Sequence, residues 1–313
     1  EIKECDWSSD VCSSDLDQQW MREAIAQAHQ ALYLSNPNPR VGCVIVRDGQ
    51  IIAKGHTQKV GGPHAEVQAL SDLRSQGLSC EGASIYVTLE PCSHTGRTGP
   101  CVDAIIAAKP TKVLIAMQDP NPLVMGQGIE RLKAAGIEVH CGLLESEAKE
   151  LNRGFVSRMT RGLPWVRLKI AATLDGKTAL PNGQSQWITG PVARADGHHW
   201  RAQACAIVTG VGTVKEDDPL LNVREVVTER QPWKIIVDSK LETPANAKIL
   251  ENLNGAGVIV VSGILDSSEQ KQKAKTLRDR GIEVIEMPNA FGKRSEEHTS
   301  ELQSHSFISY AVF

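Results

Sequence analysis

Apolar and polar residues in the first half of the chain follow two periods in turn, one helical and one extended. Apolar positions recur at helical spacing over residues 17–34, which predicts an amphipathic helix. Two short apolar runs, 41–46 and 51–53, flank Asp48-Gly49 and predict a hairpin with a tight turn. The pattern then predicts strands at 84–88, 112–116 and 137–140 and helices at 64–75, 101–107 and 129–135. This alternation is typical of a parallel-rich sheet in an α/β sandwich.

The second half begins after a predicted helix at 145–159, where Arg161-Gly162-Leu163-Pro164 interrupts the pattern. Beyond this boundary the pattern is again α/β, without an internal copy of the first half. It predicts strands at 165–172, 206–209, 234–238, 257–261 and 282–286, and helices at 191–203 and 267–280. We therefore expect two α/β domains, one over residues 17–160 and one over residues 165–293.

The two ends of the chain, residues 1–16 and 294–313, do not continue the neighbouring patterns. Both resemble translated sequencing-adapter sequence, so we expect them to be non-native tails and leave them out of the fold and the site. The metal-binding side chains they contain are accordingly given almost no weight as ligands: Cys5, Cys12, His298 and His305.

Composition narrows the class of protein. A chain of 313 residues with 41% hydrophobic content can bury two ordinary cores. Its net charge of −3 provides no basic field for nucleic acid, and no apolar run reaches membrane-spanning length. These properties predict a soluble cytoplasmic protein that binds neither nucleic acid nor a membrane, and the sequence leaves a homo-oligomer open. Eight cysteines without a secretion signal favour metal ligands or buried thiols over disulfides.

The strongest chemical signal is the combination of His64, Glu66, Cys92 and Cys101. One imidazole and two thiolates suit Zn²⁺ and leave a fourth tetrahedral position for water. Glu66 lies two residues after His64, close enough to carry a proton without binding the metal. The arrangement resembles the signature of zinc-dependent nucleobase deaminases, except that eight residues rather than two separate the cysteines.

A closed structural zinc site is the alternative interpretation of these ligands. Cys80, His94 or His56 would then supply the fourth ligand. Such a site would not need Glu66, and this favours the catalytic interpretation.

Longer motifs in the first half are similar to the deaminase half of the bifunctional riboflavin-biosynthesis deaminase/reductase family. They are Asn-Pro-Asn-Pro-Arg at 36–40, His-Ala-Glu at 64–66, Pro-Cys-Ser-His at 91–94, Gly-Arg-Thr at 96–98, Pro-Cys at 100–101 and Gln-Asp-Pro-Asn-Pro at 118–122. The resemblance implies a cytidine-deaminase-like three-layer sandwich. It places zinc on His64, Cys92 and Cys101, the proton shuttle on Glu66, and substrate contacts on Asn38, His94 and Arg97.

Two positions depart from the family pattern. The family often has His seven residues before the zinc histidine, where this chain has Thr57, with His56 one place earlier. Gly99 replaces the first proline of a common Pro-Pro-Cys, which leaves the ligand spacing intact.

The second half resembles the reductase half of the same family through residues 169–177, 185–189 and 211–219. On its own, the glycine pair Gly210 and Gly212 is compatible with a phosphate cradle or an ordinary turn. The resemblance implies an α/β fold like that of dihydrofolate reductase. It also implies NADPH contacts at Ala171, Trp187, Thr213, Asp217 and Ser239, and substrate contacts at Ser185, Arg201, Leu221 and Arg224.

The reductase match ends near Lys293, so we expect an incomplete reductase domain that binds NADPH weakly or not at all. The implied reactions are deamination of a phosphorylated diaminopyrimidinone at a single zinc site, followed by NADPH-dependent reduction of its ribosyl group. The alternatives are a fragment with deaminase activity only, a zinc deaminase acting on another nucleobase, and a structural-zinc binding module.

Overall fold

The computed structural model describes residues 7–94, 99–122, 124–251, 257–288 and 310–312. It divides into two compact units, Glu1–Arg161 and Gly162–Phe313. Among the described helices, none is both long and apolar enough to cross a bilayer.

The first unit is built on a five-stranded mixed sheet of order β2-β1-β3-β4-β5. β1 pairs antiparallel with β2 and β3, whereas β3, β4 and β5 run parallel. The sheet thus combines the predicted hairpin, which supplies its first two strands, with the predicted parallel strands. Its strands are β1 (Gly42–Arg47), β2 (Gln50–His56), β3 (Ser84–Val87), β4 (Lys112–Ile115) and β5 (Glu138–Cys141).

Helices cover both faces of this sheet. Gly42 and Gly55 point to opposite faces, since Gly55 lies opposite Cys43 and successive residues of a strand alternate. A Cβ atom on Gly42 would lie 1.9 Å from the Ala24 carbonyl oxygen, and one on Gly55 would lie 2.2 Å from that of Ala65. The result is a three-layer sandwich. Its helices are α1 (Trp7–Gln30), α2 (Ala65–Ser75), α3 (Cys101–Ala108), α4 (Gln127–Ala134), α5 (Glu145–Leu151) and α6 (Arg153–Arg161).

The helix predicted over 145–159 is divided at Asn152. The side chain of Asn152 is buried; its Oδ1 accepts the Arg40 N–H at 2.8 Å and its Nδ2 donates to the Arg40 carbonyl at 2.9 Å. These two bonds to a distant segment interrupt the helix at Asn152, so the predicted single helix forms as α5 and α6.

The second unit contains a six-stranded sheet of order β10-β9-β8-β7-β11-β6, and every described pairing is parallel. Its strands are β6 (Trp165–Arg167), β7 (Ala206–Gly210), β8 (Trp233–Val237), β9 (Val258–Ser262), β10 (Glu283–Glu286) and β11 (Tyr310–Val312). Its helices are α7 (Pro191–Gln203), α8 (Val211–Asp217) and α9 (Ser268–Asp279), with a short 3-10 helix at Lys248–Leu250.

The observed structure departs from the sequence pattern in the length of β6 and at both ends of the chain. The strand predicted over 165–172 ends at Arg167, and Leu168 and Ile170 are 68% and 62% exposed. The glycines of the possible phosphate cradle lie at the junction of β7 and α8. Residues 310–312 pair with β6 and β7, and α1 begins at Trp7, so regular structure extends into both segments predicted as tails. That those segments are non-native stays a prediction.

Candidate functional site

Three side chains from separate parts of the first unit converge in one cluster. His64 Nδ1 lies 3.2 Å from Cys101 Sγ and 3.5 Å from Cys92 Sγ. All three potential ligand atoms lie within 4.8 Å of one another. A single metal ion can therefore contact the three residues together.

Local structure explains the convergence. His64 is the extended residue that precedes α2, Cys92 follows β3, and Cys101 is the first residue of α3. The Cys101 N–H donates to Cys92 Sγ at 3.3 Å, so the start of α3 faces this thiol. Hydrogen bonds from Cys101 and His64 lower the pKa of Cys92, which favours the thiolate that zinc binding requires.

The donor set fits zinc with one open position. Within the described residues the cluster has only these three ligands, and none of the proposed fourth ligands belongs to it. Cys80 is buried in the hydrophobic core of the first unit. His56, whose pKa is lowered by burial, and His94, which is exposed, also lie outside the cluster. Three protein ligands with a vacant fourth position are typical of catalytic rather than structural zinc.

Glu66 lies in the first turn of α2, next to the cluster. It is 4% exposed, and its carboxyl group interacts with the Cys101 thiol. Burial raises the pKa of Glu66 from 4.5 to about 7. A carboxyl group that titrates near neutral pH can both accept and release a proton there.

The predicted substrate contacts of this unit are only partly described. Asn38 is half-buried in the turn before β1, where its N–H donates to the Ser35 carbonyl at 2.9 Å. His94 is exposed just beyond Cys92, and Arg97 lies outside the described residues. Thr57, which stands at the family's histidine position, is buried, and its hydroxyl accepts the Val41 N–H at 3.0 Å. Its side chain therefore joins the end of β2 to the start of β1.

Two buried acids near the cluster were not predicted as functional residues. Glu90 is 3% exposed and precedes Pro91-Cys92, and Asp119 is 8% exposed. Burial raises the pKa of Asp119 to about 6. An acidic residue between Leu89 and Pro91, just after a buried strand, is a sequence signal that could have identified Glu90.

The second unit contains a cavity of about 1070 Å³. Eight of the nine residues predicted to contact NADPH or substrate line it: Ala171, Ser185, Trp187, Arg201, Thr213, Asp217, Leu221 and Arg224. Ser239 does not line it; its carbonyl accepts the Gly263 N–H at 3.0 Å. The position of Ser239 thus gives its predicted role no support.

Basic and aromatic side chains line this cavity. Arg201 and Arg224 both donate to Asn222, at 3.4 Å and 2.6 Å, so the two guanidinium groups lie near one another. The Arg194 guanidinium lies 4.3 Å from the ring centre of Trp187. Burial and the charge of Arg201 lower the pKa of Lys169. The cavity is therefore suited to phosphate groups and a flat ring.

Comparisons with known proteins agree with both halves of this description. The profile of the cytidine and deoxycytidylate deaminase zinc-binding region matches residues 14–117, and that of the RibD C-terminal domain matches residues 164–301. The second match extends past Lys293, so the resemblance to the reductase half does not end near that residue as predicted.

Individual relatives cover most of the chain. The riboflavin biosynthesis protein RibD of Aquifex aeolicus is 45% identical over 271 residues, which are 87% of this chain and 74% of the relative. RibD of Escherichia coli is 50% identical over 236 residues, 72% of this chain and 64% of the relative.

Solved structures give the same result. The structure of Acinetobacter baumannii RibD matches with a TM-score of 0.84 and 43% identity, over 96% of this chain and 80% of the other. The diaminohydroxyphosphoribosylaminopyrimidine deaminase/5-amino-6-(5-phosphoribosylamino)uracil reductase of Thermotoga maritima matches with a TM-score of 0.83 and 36% identity, over 96% of this chain and 81% of the other. The predicted fold class and cofactors are confirmed. The chain belongs to the family of bifunctional riboflavin-biosynthesis enzymes, which join a zinc-dependent deaminase domain to an NADPH-dependent reductase domain.

Proposed function

We propose that the first unit deaminates a diaminopyrimidinone that carries a ribosylamino 5′-phosphate, with His64, Cys92 and Cys101 as the zinc ligands. The observation that carries this proposal is the three-residue cluster with the buried Glu66 beside it. We infer this substrate from the name of the Thermotoga maritima relative. Zinc bound by this cluster supplies Lewis acidity and activates water near neutral pH.

Glu66 moves the protons in this scheme. Its carboxylate accepts a proton from the attacking water and delivers it to the amino group that leaves as ammonia. Burial keeps bulk water from competing for that proton, and a pKa near neutrality makes both transfers accessible. Asn38 reads the pyrimidine edge, and His94 with Arg97 holds a phosphate or a ring oxygen.

The second unit reduces the ribosyl group of the deaminated product. In this assignment Ala171, Trp187, Thr213 and Asp217 would hold NADPH, which would supply a hydride for the ribosyl group. Ser185, Arg201, Leu221 and Arg224 contact the substrate. The two arginines bind the phosphate, because guanidinium groups match its oxygens in a bidentate geometry.

A small anionic substrate also accounts for the charge distribution. The chain has a net charge of −3, so its basic groups act locally, in the cavity of the second unit, rather than as a field for nucleic acid.

Replacing Glu66 with Gln tests the deaminase assignment. We expect the Glu66→Gln variant to retain one zinc per chain while ammonia release from the phosphorylated pyrimidine falls by about a hundredfold or more, the scale of general acid–base catalysis. Exposed Glu147→Gln, in the same unit, is the matched control and keeps full activity. Ammonia release by Glu66→Gln at the wild-type rate would refute the mechanism, and faster release from a free nucleoside than from the phosphate would favour another nucleobase deaminase.

A further inference from the structure

Glu90 is a buried carboxylate two residues before Cys92, and the deamination scheme above gives it no role. It is 3% exposed, and both of its oxygens accept backbone N–H groups. The donors, with their N···O distances, are Gly128 (2.9 Å) and Ile129 (3.3 Å) on Oε1, and Asp119 (3.1 Å) and Gly126 (3.0 Å) on Oε2. One side chain thus binds both the loop before α4 and the first turn of that helix.

The start of α4 lies directly against the backbone that leads to Cys92. A Cβ atom on Gly128 would lie 2.2 Å from the Pro91 carbonyl oxygen, so only glycine permits this approach. On the other side of Cys92, Arg131 of α4 donates from Nη1 to the Ser93 carbonyl at 3.0 Å. Residues immediately before and after Cys92 therefore both contact α4.

The same helix also reaches the second cysteine. Nη2 of Arg131 pairs with the carboxylate of Asp103, in the first turn of α3, which begins at Cys101. The Val102 N–H donates to the Cys92 carbonyl at 3.2 Å. The two cysteine-bearing segments are thus joined to each other and to α4.

The four bonds to Glu90 require a carboxylate. An ionised carboxylate accepts at both oxygens, whereas a glutamine amide offers one oxygen and one NH₂ group. In a Glu90→Gln variant the NH₂ group would face two backbone N–H donors and two bonds would be lost. The loop before α4 and the Cys92 segment would then separate or rearrange.

We propose that Glu90 is a positioning residue for the metal centre: with Arg131, it holds the Cys92 segment against α4 and so sets where the Cys92 thiolate lies relative to His64 and Cys101. The inference rests on the proposed role of Cys92 as a zinc ligand. A residue that only stabilises the fold would lower the free energy of unfolding without changing the metal affinity of the folded protein.

The test compares three variants of the full chain by zinc affinity, measured in competition with a chromophoric chelator at one pH. We expect Glu90→Gln to weaken zinc binding by about 10- to 100-fold, the range for residues that orient metal ligands. Arg131→Met should weaken it by about fivefold, because its bond to Ser93 is exposed. The control is Asp238→Asn, since Asp238 is also buried and accepts the N–H groups of Glu242 and Thr243 in the second unit.

A spectroscopic measurement separates positioning from stability. Co²⁺ replaces zinc in each protein, and its ligand-field absorption reports the geometry of the thiolate ligands. We expect the bands to shift in Glu90→Gln and in Arg131→Met, but to stay unchanged in Asp238→Asn. Urea unfolding of the metal-free proteins measures the loss of stability independently.

Each outcome bears on one claim. Wild-type zinc affinity and cobalt spectra in Glu90→Gln and Arg131→Met would overturn the positioning role and leave the deaminase assignment intact. If Glu90→Gln does not fold, Arg131→Met decides alone by the same two measurements. Failure of the wild-type protein to bind zinc, or retention of wild-type affinity in Cys92→Ala, would instead contradict the proposed metal site.

Discussion

Replacing Glu66 with Gln should change how the stability of the metal-free protein depends on pH. Glu66 is 4% exposed, and burial raises its pKa from 4.5 to about 7. Between these two values the folded state binds more protons at this position than the unfolded state, so stability falls as the pH rises. At about 1.36 kcal/mol per pH unit, the full effect is roughly 3 kcal/mol. Glutamine does not titrate, so the stability of the variant does not decrease with pH through this group.

The assay is urea unfolding of the first unit, repeated across the pH range. Unfolding of this unit is followed through hydrogen exchange of peptides from β1 and β3. The difference between wild type and Glu66→Gln should grow in favour of the variant as the pH rises from about 4.5 to 8, and level off at roughly 3 kcal/mol. Glu147→Gln, which replaces an exposed glutamate of the same unit, should show no such trend. A constant difference between wild type and Glu66→Gln across this range would refute the reasoning.

Three further predictions concern packing, metal and substrate. Gly55→Ala would place a Cβ atom 2.2 Å from the Ala65 carbonyl oxygen and should therefore displace α2. We expect the free energy of unfolding of the first unit to fall by about 1–3 kcal/mol, and an unchanged urea midpoint would contradict this. Chelation should abolish ammonia release but leave the urea midpoint of the second unit unchanged, because the zinc cluster and the reductase cavity belong to different units; a parallel loss of stability in the second unit contradicts it. Arg201→Met should weaken binding of the phosphorylated substrate to the second unit by about tenfold or more, and an equal dissociation constant for wild type and variant would exclude the phosphate contact.

Elements defined by local signals could be predicted from the sequence. The apolar runs that became β1, β3 and β4 are buried on both faces, and α9 begins with the capping box of Ser267 and Gln270. Non-local contacts could not be predicted. The division at Asn152 depends on Arg40, 112 residues earlier in the chain. The early end of β6 is also outside the reach of an apolar pattern, since Leu168 and Ile170 are exposed.

The candidate site shows the same limit. The spacing of His64, Cys92 and Cys101 carries the zinc signature, and the structure brings their ligand atoms together. Glu90 has no such signature, because its partners are backbone N–H groups 29 to 39 residues away, and a backbone donor is not identified by the type of its side chain. In the second unit, residues from several separate segments line one cavity. Only the resemblance to the reductase half predicts that these residues belong to one site.

The central claim is that one zinc ion is held by His64, Cys92 and Cys101 with its fourth position open. X-ray absorption at the zinc K-edge of the purified protein tests it most directly. We expect two sulfur ligands at about 2.3 Å and two nitrogen or oxygen ligands at about 2.0–2.2 Å, of which only one is an imidazole. A third sulfur, or a second imidazole, would mean that Cys80, His56 or His94 closes the site, and would contradict the catalytic assignment.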